Sequence, residues 1–127
     1  MEFDVYSRKN PSARYTELIK LYRHAHEQGQ PEIGNKPEDT FAGKVRIQHA
    51  SRISFFTKFC GARRLLDYGA GKGHQYDLNR TDVDLREVYG VREITCYDPG
   101  HQPYSSLPDG SFDGVICLDV MEHVQKR

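Results

Sequence analysis

The chain has 127 residues, the size of one compact domain, and its 18 basic and 18 acidic side chains give a net charge of zero. Residues 1–64 carry 12 basic and 7 acidic side chains, a net charge of +5, whereas residues 65–127 carry 6 and 11, a net charge of −5. The sequence has no apolar stretch of membrane-spanning length, no signal-peptide pattern and only three, widely spaced cysteines, so we expect a cytoplasmic protein without disulfides or a CxxC metal site.

The first predicted helix follows Asn10-Pro11-Ser12, which supplies a capping side chain and a proline in the first turn. Apolar side chains then recur at helical spacing, at Tyr15, Leu18, Tyr22 and Ala25. Gly29 is suited to end this helix. Residues 29–43 are polar and rich in turn-forming residues, so we expect a connector there and assign residues 1–43 as a helical lead and connector.

A second helix is predicted from about Lys44 to Cys60, with Gly61 at its C-cap position. Helical spacing places one set of side chains on its expected buried face, namely Val45, His49, Ile53, Phe56 and Cys60. We expect this helix to begin a second domain that covers residues 44–127.

Beyond residue 63 the apolar pattern changes to that of strands. Short apolar runs at residues 64–68, 92–97 and 112–118 predict three strands, and residues 81–89 predict a helix between the first two. The last run is almost continuously apolar, which is typical of a parallel strand covered on both faces. The sequence therefore predicts an α/β fold: a Rossmann-like, doubly wound parallel sheet that is incomplete, with about three strands, and preceded by two helices.

Residues 69–73, Gly-Ala-Gly-Lys-Gly, form a cluster at which a ligand could lie against the backbone. A dinucleotide-binding GxGxxG motif would need glycine where the chain has His74, and a P-loop would need glycine at Leu66 and Ser or Thr at Gly73. A GxGxG loop preceded by Asp67 remains, after which we expect a helix N-terminus with free amides. A tight structural turn is the alternative interpretation.

Asp98 lies at the C-terminal tip of the second predicted strand, where open α/β sheets bind ligands. Its carboxylate can accept two hydrogen bonds from the diol of a ribose, each worth roughly 1.5–3 kcal/mol. The alternative is a structural role in an Asp-Pro turn. The preceding glycine loop favours the ribose.

Three motifs together resemble the class I S-adenosylmethionine-dependent methyltransferases. Residues 65–73 resemble the first motif of that superfamily, Asp98 occupies the place of its ribose-binding acid, and residues 107–124 are similar to the stretch around its fourth strand. The motifs occur in the expected order over residues 64–124, nearly half of the chain. The resemblance implies that the chain binds S-adenosyl-L-methionine, releases S-adenosyl-L-homocysteine and, in complete form, methylates an acceptor that the motifs do not identify.

The resemblance assigns cofactor-binding roles to Asp67, Gly69, Ala70, Gly71, Gly73, Asp98, Pro99, Leu118 and Asp119. It implies that the glycine loop cradles the methionine part and the adenosine, while Asp67 orients the methionine amino group. Asp98 would bind the ribose hydroxyls, and Pro99 or Gly100 would border the adenine. Leu118 and Asp119 would line the floor beneath the methyl donor. The N-terminal helices would correspond to those that often cover the cofactor in this superfamily.

The catalytic residues stay unknown at this point, because methyl transfer from a sulfonium depends on positioning more than on a general base. Glu122, His123 and His74 are candidate bases. Asp119, Glu122 and His123 would share one helix face, on which a divalent cation could bind. Similar Glu-His pairs occur in metal-free methyltransferases, so we predict no metal site.

Two departures from the superfamily keep another function open. Only eight residues separate Asp98 from Leu107, where a helix and a strand are usual, and the sequence ends where three further strands are usual. The third strand would have a free edge, which a second copy or another chain could cover. The alternative function is therefore a non-catalytic, truncated methyltransferase-like module that oligomerises or regulates a partner. His74 disfavours a third possibility, a nicotinamide-nucleotide-binding oxidoreductase domain.

Overall fold

The structure, a computed structural model, describes residues 6–44, 48–118 and 120. The helices of this part of the chain are α1 (Ala13–Gln28), α2 (Ala50–Cys60) and α3 (Leu85–Tyr89), and the strands are β1 (Arg64–Tyr68), β2 (Glu93–Tyr97) and β3 (Gly114–Ile116). Short 3₁₀ turns lie at Pro31–Ile33, His74–Tyr76 and Gln102–Tyr104. No helix in the described residues has the length and apolar character that crossing a membrane requires.

The strands form one parallel sheet in the order β2-β1-β3, with β1 in the centre. β1 pairs with β2 along its full length, from Arg64 opposite Glu93 to Tyr68 opposite Tyr97. It pairs with β3 over three residues only. Parallel neighbours need crossover connections, which α3 and the segment between β2 and β3 supply here. The sheet confirms the predicted fold class, an incomplete Rossmann-like α/β fold.

One face of the sheet packs against α2 and α3. The core there consists of Ala62, Leu65, Leu85, Tyr89 and Ile116. Two hydroxyl groups on α2 hold α3 in place: Ser54 Oγ donates to the Val88 carbonyl at 2.6 Å, and Thr57 Oγ1 donates to the Tyr89 carbonyl at 2.7 Å. Carbonyls at a helix C-terminus lack partners within the helix, so these side-chain bonds satisfy groups that would otherwise be buried without one.

The predicted helix ends are confirmed where local chemistry sets them. Ser12 caps α1, because its Oγ accepts a hydrogen bond from the Tyr15 amide at 3.0 Å, and Gly29 follows the last turn. Gly61 ends α2 in the left-handed conformation. These signals act within one helical turn, which is why the sequence alone reveals them.

The prediction for α2 was wrong in two respects. The helix begins at Ala50, whereas Lys44 is not helical and Val45 lies outside the described residues. Its packed face is also rotated around the helix axis: Thr57 is buried, whereas Phe56 is 63% exposed and Cys60 is exposed as well. Contact with α3 decides this, because the hydroxyl of Thr57 bonds to an α3 carbonyl and turns its side of α2 inward.

Two other elements are shorter than the sequence predicts. The helix expected from Thr81 begins at Leu85, because Asp84 caps it through the Arg86 amide at 2.9 Å. The strand expected over 112–118 is limited to β3, the stretch that pairs with β1. The helix expected from Asp119 onward, together with the candidate bases Glu122 and His123 and the possible cation-binding face, lies outside the described residues.

Candidate functional site

The glycine loop and the tip of β2 meet as the sequence predicts. The Gly71 amide donates to Asp98 Oδ2 at 2.9 Å, and the Gly100 amide donates to Asp98 Oδ1 at 2.9 Å. The Asp98 side chain is 17% exposed. Because each carboxylate oxygen can accept more than one hydrogen bond, Asp98 retains acceptor capacity at the carboxyl edge of the sheet. This is the edge at which open parallel sheets bind ligands.

The three glycines of the loop all adopt left-handed backbone conformations, with φ of 79° at Gly69, 61° at Gly71 and 64° at Gly73. The chain itself occupies the space that a side chain would take at Gly69 and Gly71, and it packs tightly around Gly73. A Cβ at Gly71 would collide with the Phe41 carbonyl, and one at Gly69 would collide with Val120. Close packing against the protein therefore accounts for these glycines, whereas the sequence suggested that a ligand would lie there.

The loop amides are all used within the protein. Each backbone N–H from residue 69 to residue 74 has an acceptor: Tyr97 O for Gly69 and Ala70, Asp98 Oδ2 for Gly71, Phe41 O for Lys72, Ala70 O for Gly73 and Ala42 O for His74. A three-residue 3₁₀ turn follows the loop in place of the expected α-helix. The expectation of a helix N-terminus with free amides was therefore wrong. A phosphate group would find no unused donor in this loop.

Asp67 lies beneath the loop and is fully buried. Its Oδ2 accepts a hydrogen bond from the Tyr76 hydroxyl at 2.6 Å, and Gln75 Nε2 lies 3.4 Å from the same oxygen. Burial, together with the Asp67 charge, raises the pKa of Tyr76 far above its usual value, so this hydroxyl stays a donor. The structure thus places Asp67 in the interior, where its hydrogen bonds connect β1 to the turn after the loop.

The other predicted cofactor-binding residues lie in different surroundings. Ala70 is completely buried within the loop, and Pro99 is half-buried next to Asp98. Leu118 packs against the core beside α2. Asp119 lies outside the described residues. The structure therefore brings the glycine loop, Asp98 and Pro99 together at one edge and leaves Asp67 in the interior.

The connector contributes to this edge, which the sequence did not indicate. Thr40 is 1% exposed and Ala42 7% exposed, because residues 40–43 run along the glycine loop. Lys72 is half-buried, and its Nζ donates to the Thr40 carbonyl at 2.5 Å. The turn-rich composition of residues 29–43 predicted a connector and gave no sign of burial. No spacing pattern in the sequence indicates that residues 40–43 contact the glycine loop.

His26, from the last turn of α1, completes the cluster around Asp98. Its Nδ1 lies 3.0 Å from Lys72 Nζ, and its Nε2 lies 3.9 Å from Asp98 Oδ1. Burial and the Lys72 charge lower the pKa of His26 to about 4, although Asp98 acts in the opposite direction. Burial also lowers the pKa values of Lys72 and His101. The ring of His101 lies 5.0 Å from that of His26.

A separate groove lies between α2 and β3. Its volume is about 550 Å³, and its apolar lining includes Ile53, Phe56, Ile116 and Leu118. It does not include Asp98 or the glycine loop. The groove therefore belongs to the exposed face of α2 and the sheet edge.

Comparison with known proteins returned no match. No protein-family model matches the sequence, and no significant match exists among the curated proteins or the solved structures compared with it. The fold class therefore rests on the parallel sheet itself, and the function rests on the chemistry of the site.

Proposed function

We propose that the chain is the S-adenosyl-L-methionine-binding part of a class I methyltransferase that works in the cytoplasm on an unidentified acceptor. One observation carries the proposal: the Gly71 amide donates to Asp98 at 2.9 Å, which joins the glycine loop to the acid at the tip of the neighbouring strand. The order of the three motifs along the sequence supports the same function.

The remaining acceptor capacity of Asp98 suits the ribose of an adenosyl group. A carboxylate that already accepts one amide on each oxygen can still accept a hydroxyl, and its backbone bonds hold it in place for that contact. When bound, the cofactor would supply an activated methyl group for transfer to a nucleophilic atom of the acceptor. The protein's part is to position the cofactor and acceptor.

The saturated loop amides favour this ligand over a phosphate-containing nucleotide. Dinucleotide and P-loop sites bind phosphate through free backbone N–H groups, and the amides of residues 69–74 are all engaged within the chain. An adenosyl sulfonium has no phosphate, and its methionine carboxylate would bind donors outside this loop. Because the Phe41 carbonyl and Val120 lie against the loop, we expect the ligand to approach from the Asp98 side.

Calorimetric titration with S-adenosyl-L-homocysteine tests the proposal directly. We expect binding by the unmodified chain, and a loss of about 10- to 100-fold in Asp98→Asn, since that change removes the charge from the ribose contact. Asp109→Asn is the matched control, because Asp109 is an exposed loop acid. Thermal unfolding would verify that both variants fold. Absence of binding by the unmodified chain, or binding of a nicotinamide dinucleotide instead, would overturn the proposal.

The exposed aromatic face of α2 favours a second candidate function, assembly with a second copy of the chain. Phe55 and Phe59 stack with ring centroids 6.1 Å apart, and Phe59 is 81% exposed. Phe56 on the same helix, 63% exposed, lines a groove together with β3. Within the described residues β3 has a strand on one side only, and Val115 at its centre is 62% exposed. Exposed aromatic groups beside an open strand edge are typical of interaction surfaces.

Sedimentation velocity would test this second candidate. We expect a concentration-dependent dimer that Phe59→Asp dissociates, because a carboxylate would have to be buried in the contact. Ile33→Asp is the control, since Ile33 is 66% exposed but lies in the connector. A monomer at all concentrations would rule out self-assembly through this face.

A further inference from the structure

His26 is the only residue of α1 that is buried, and it lies beside the predicted ribose acid. It is 5% exposed, and its ring lies 5.0 Å from the ring of Phe41 as well as from that of His101. Both ring nitrogens face polar groups: Nδ1 faces Lys72 Nζ, and Nε2 faces the Asp98 carboxylate. The position of its two ring nitrogens therefore indicates a polar role.

Lys72 determines which nitrogen of His26 carries the proton. An ammonium group only donates hydrogen bonds, so Nδ1, at 3.0 Å from Lys72 Nζ, must accept. The ring is neutral near pH 7, because burial and Lys72 both lower its pKa. A neutral imidazole with an accepting Nδ1 has its proton on Nε2. His26 therefore directs an N–H group towards the Asp98 side of the cluster.

Nε2 and Asp98 are too far apart to bond to each other but close enough to share a ligand atom. Their separation of 3.9 Å exceeds hydrogen-bond distance. Two hydrogen bonds of about 2.8 Å can meet at one oxygen atom across a separation of this length. That oxygen must accept from Nε2 and donate to the carboxylate. A hydroxyl does both, whereas a phosphate oxygen would bring its negative charge against Asp98.

We propose that His26 and Asp98 together bind one ribose hydroxyl of the adenosyl ligand, which donates to Asp98 Oδ1 and accepts from His26 Nε2. This inference rests on the proposed function and extends it, because it assigns a ribose contact to one particular side chain of α1, His26. His26 selects a ligand with a hydroxyl at this position over its deoxy analogue. It also couples the N-terminal helix to the tip of β2.

Matched titrations separate this role from a purely structural one. The ligands are S-adenosyl-L-homocysteine and its 2′-deoxy and 3′-deoxy analogues, titrated into the unmodified chain, His26→Ala and His24→Ala. His24 is an exposed histidine on the same helix and serves as the control. We expect His26→Ala to weaken binding of S-adenosyl-L-homocysteine by about 3- to 10-fold and to have no effect on one of the two deoxy analogues. An equal loss for all three ligands would overturn the proposal.

A measurement on the unmodified chain covers the case in which His26→Ala does not fold. Nitrogen-15 NMR of the imidazole reports which nitrogen carries the proton. We expect the Nε2-protonated form, with an Nε2 shift that changes on addition of S-adenosyl-L-homocysteine but not with the deoxy analogue that lacks the contacted hydroxyl. Protonation on Nδ1, or the same response to all three ligands, would overturn the inference while leaving the proposed function intact. Absence of any binding would overturn both.

Discussion

The hydroxyl of Tyr76 donates to the carboxylate of Asp67 at 2.6 Å, and this bond connects the centre of the sheet to the turn that follows the glycine loop. Asp67 is fully buried on β1, and Tyr76 ends the 3₁₀ turn. A buried carboxylate is costly unless hydrogen bonds stabilise it. The loop conformation and the burial of Asp67 therefore depend on each other.

We predict that Tyr76→Phe lowers the free energy of unfolding by about 1–3 kcal/mol, because it removes a donor from a buried carboxylate. Urea denaturation measures this change. Tyr15→Phe is the control, since Tyr15 is 46% exposed and its hydroxyl is not needed to cap α1. Equal stability of Tyr76→Phe and the unmodified chain would show that the bond contributes nothing to folding.

Gly71→Ala should destabilise the protein more than Gly61→Ala does. Both glycines have left-handed backbones, with φ of 61° and 65°, so each substitution costs about 1–2 kcal/mol in backbone strain. A Cβ at Gly61 has nothing within 4 Å, whereas one at Gly71 would collide with the Phe41 carbonyl. We expect a further loss of about 1–3 kcal/mol at Gly71 in the same denaturation experiment. Similar decreases in the free energy of unfolding at both positions would mean that residues 40–43 do not pack closely against the loop.

We predict that the free energy of unfolding decreases as the pH falls from about 6.5 to about 4, because of His26. Its pKa is about 4 in the folded protein, against an ordinary value of 6.5. Between these pH values the unfolded chain binds the proton more readily, so the free energy of unfolding decreases as the pH falls, by up to about 3 kcal/mol. The lowered pKa values of His74 and His101 act in the same direction.

Denaturation of the unmodified chain and of His26→Gln at several pH values between 4 and 7 would check this. Glutamine does not titrate, so we expect a shallower loss of stability in that variant. His24→Gln should follow the unmodified chain, because His24 is exposed on the same helix. Parallel curves for all three proteins would contradict the role of His26.

Much of the local structure could be predicted from the sequence. The cap at Ser12, the stops at Gly29 and Gly61 and the first strand at residues 64–68 all match the structure. The juxtaposition of the glycine loop with Asp98 also followed, because parallel strands place their carboxyl ends at one edge. The buried face of α2 could not be predicted, because helical spacing does not reveal which side of the helix contacts α3.

The sequence by itself determined most of the helices and strands, their order along the chain and the α/β class. It could do so because caps, glycine stops and apolar runs act over a few neighbouring residues. Only the tertiary structure decided what surrounds Asp98. Lys72 is 46 positions from His26 and 32 from Thr40 along the chain, yet its ammonium contacts both. Contacts over such separations leave no periodic signal in the sequence, because they depend on how α1 and the connector fold back onto the glycine loop.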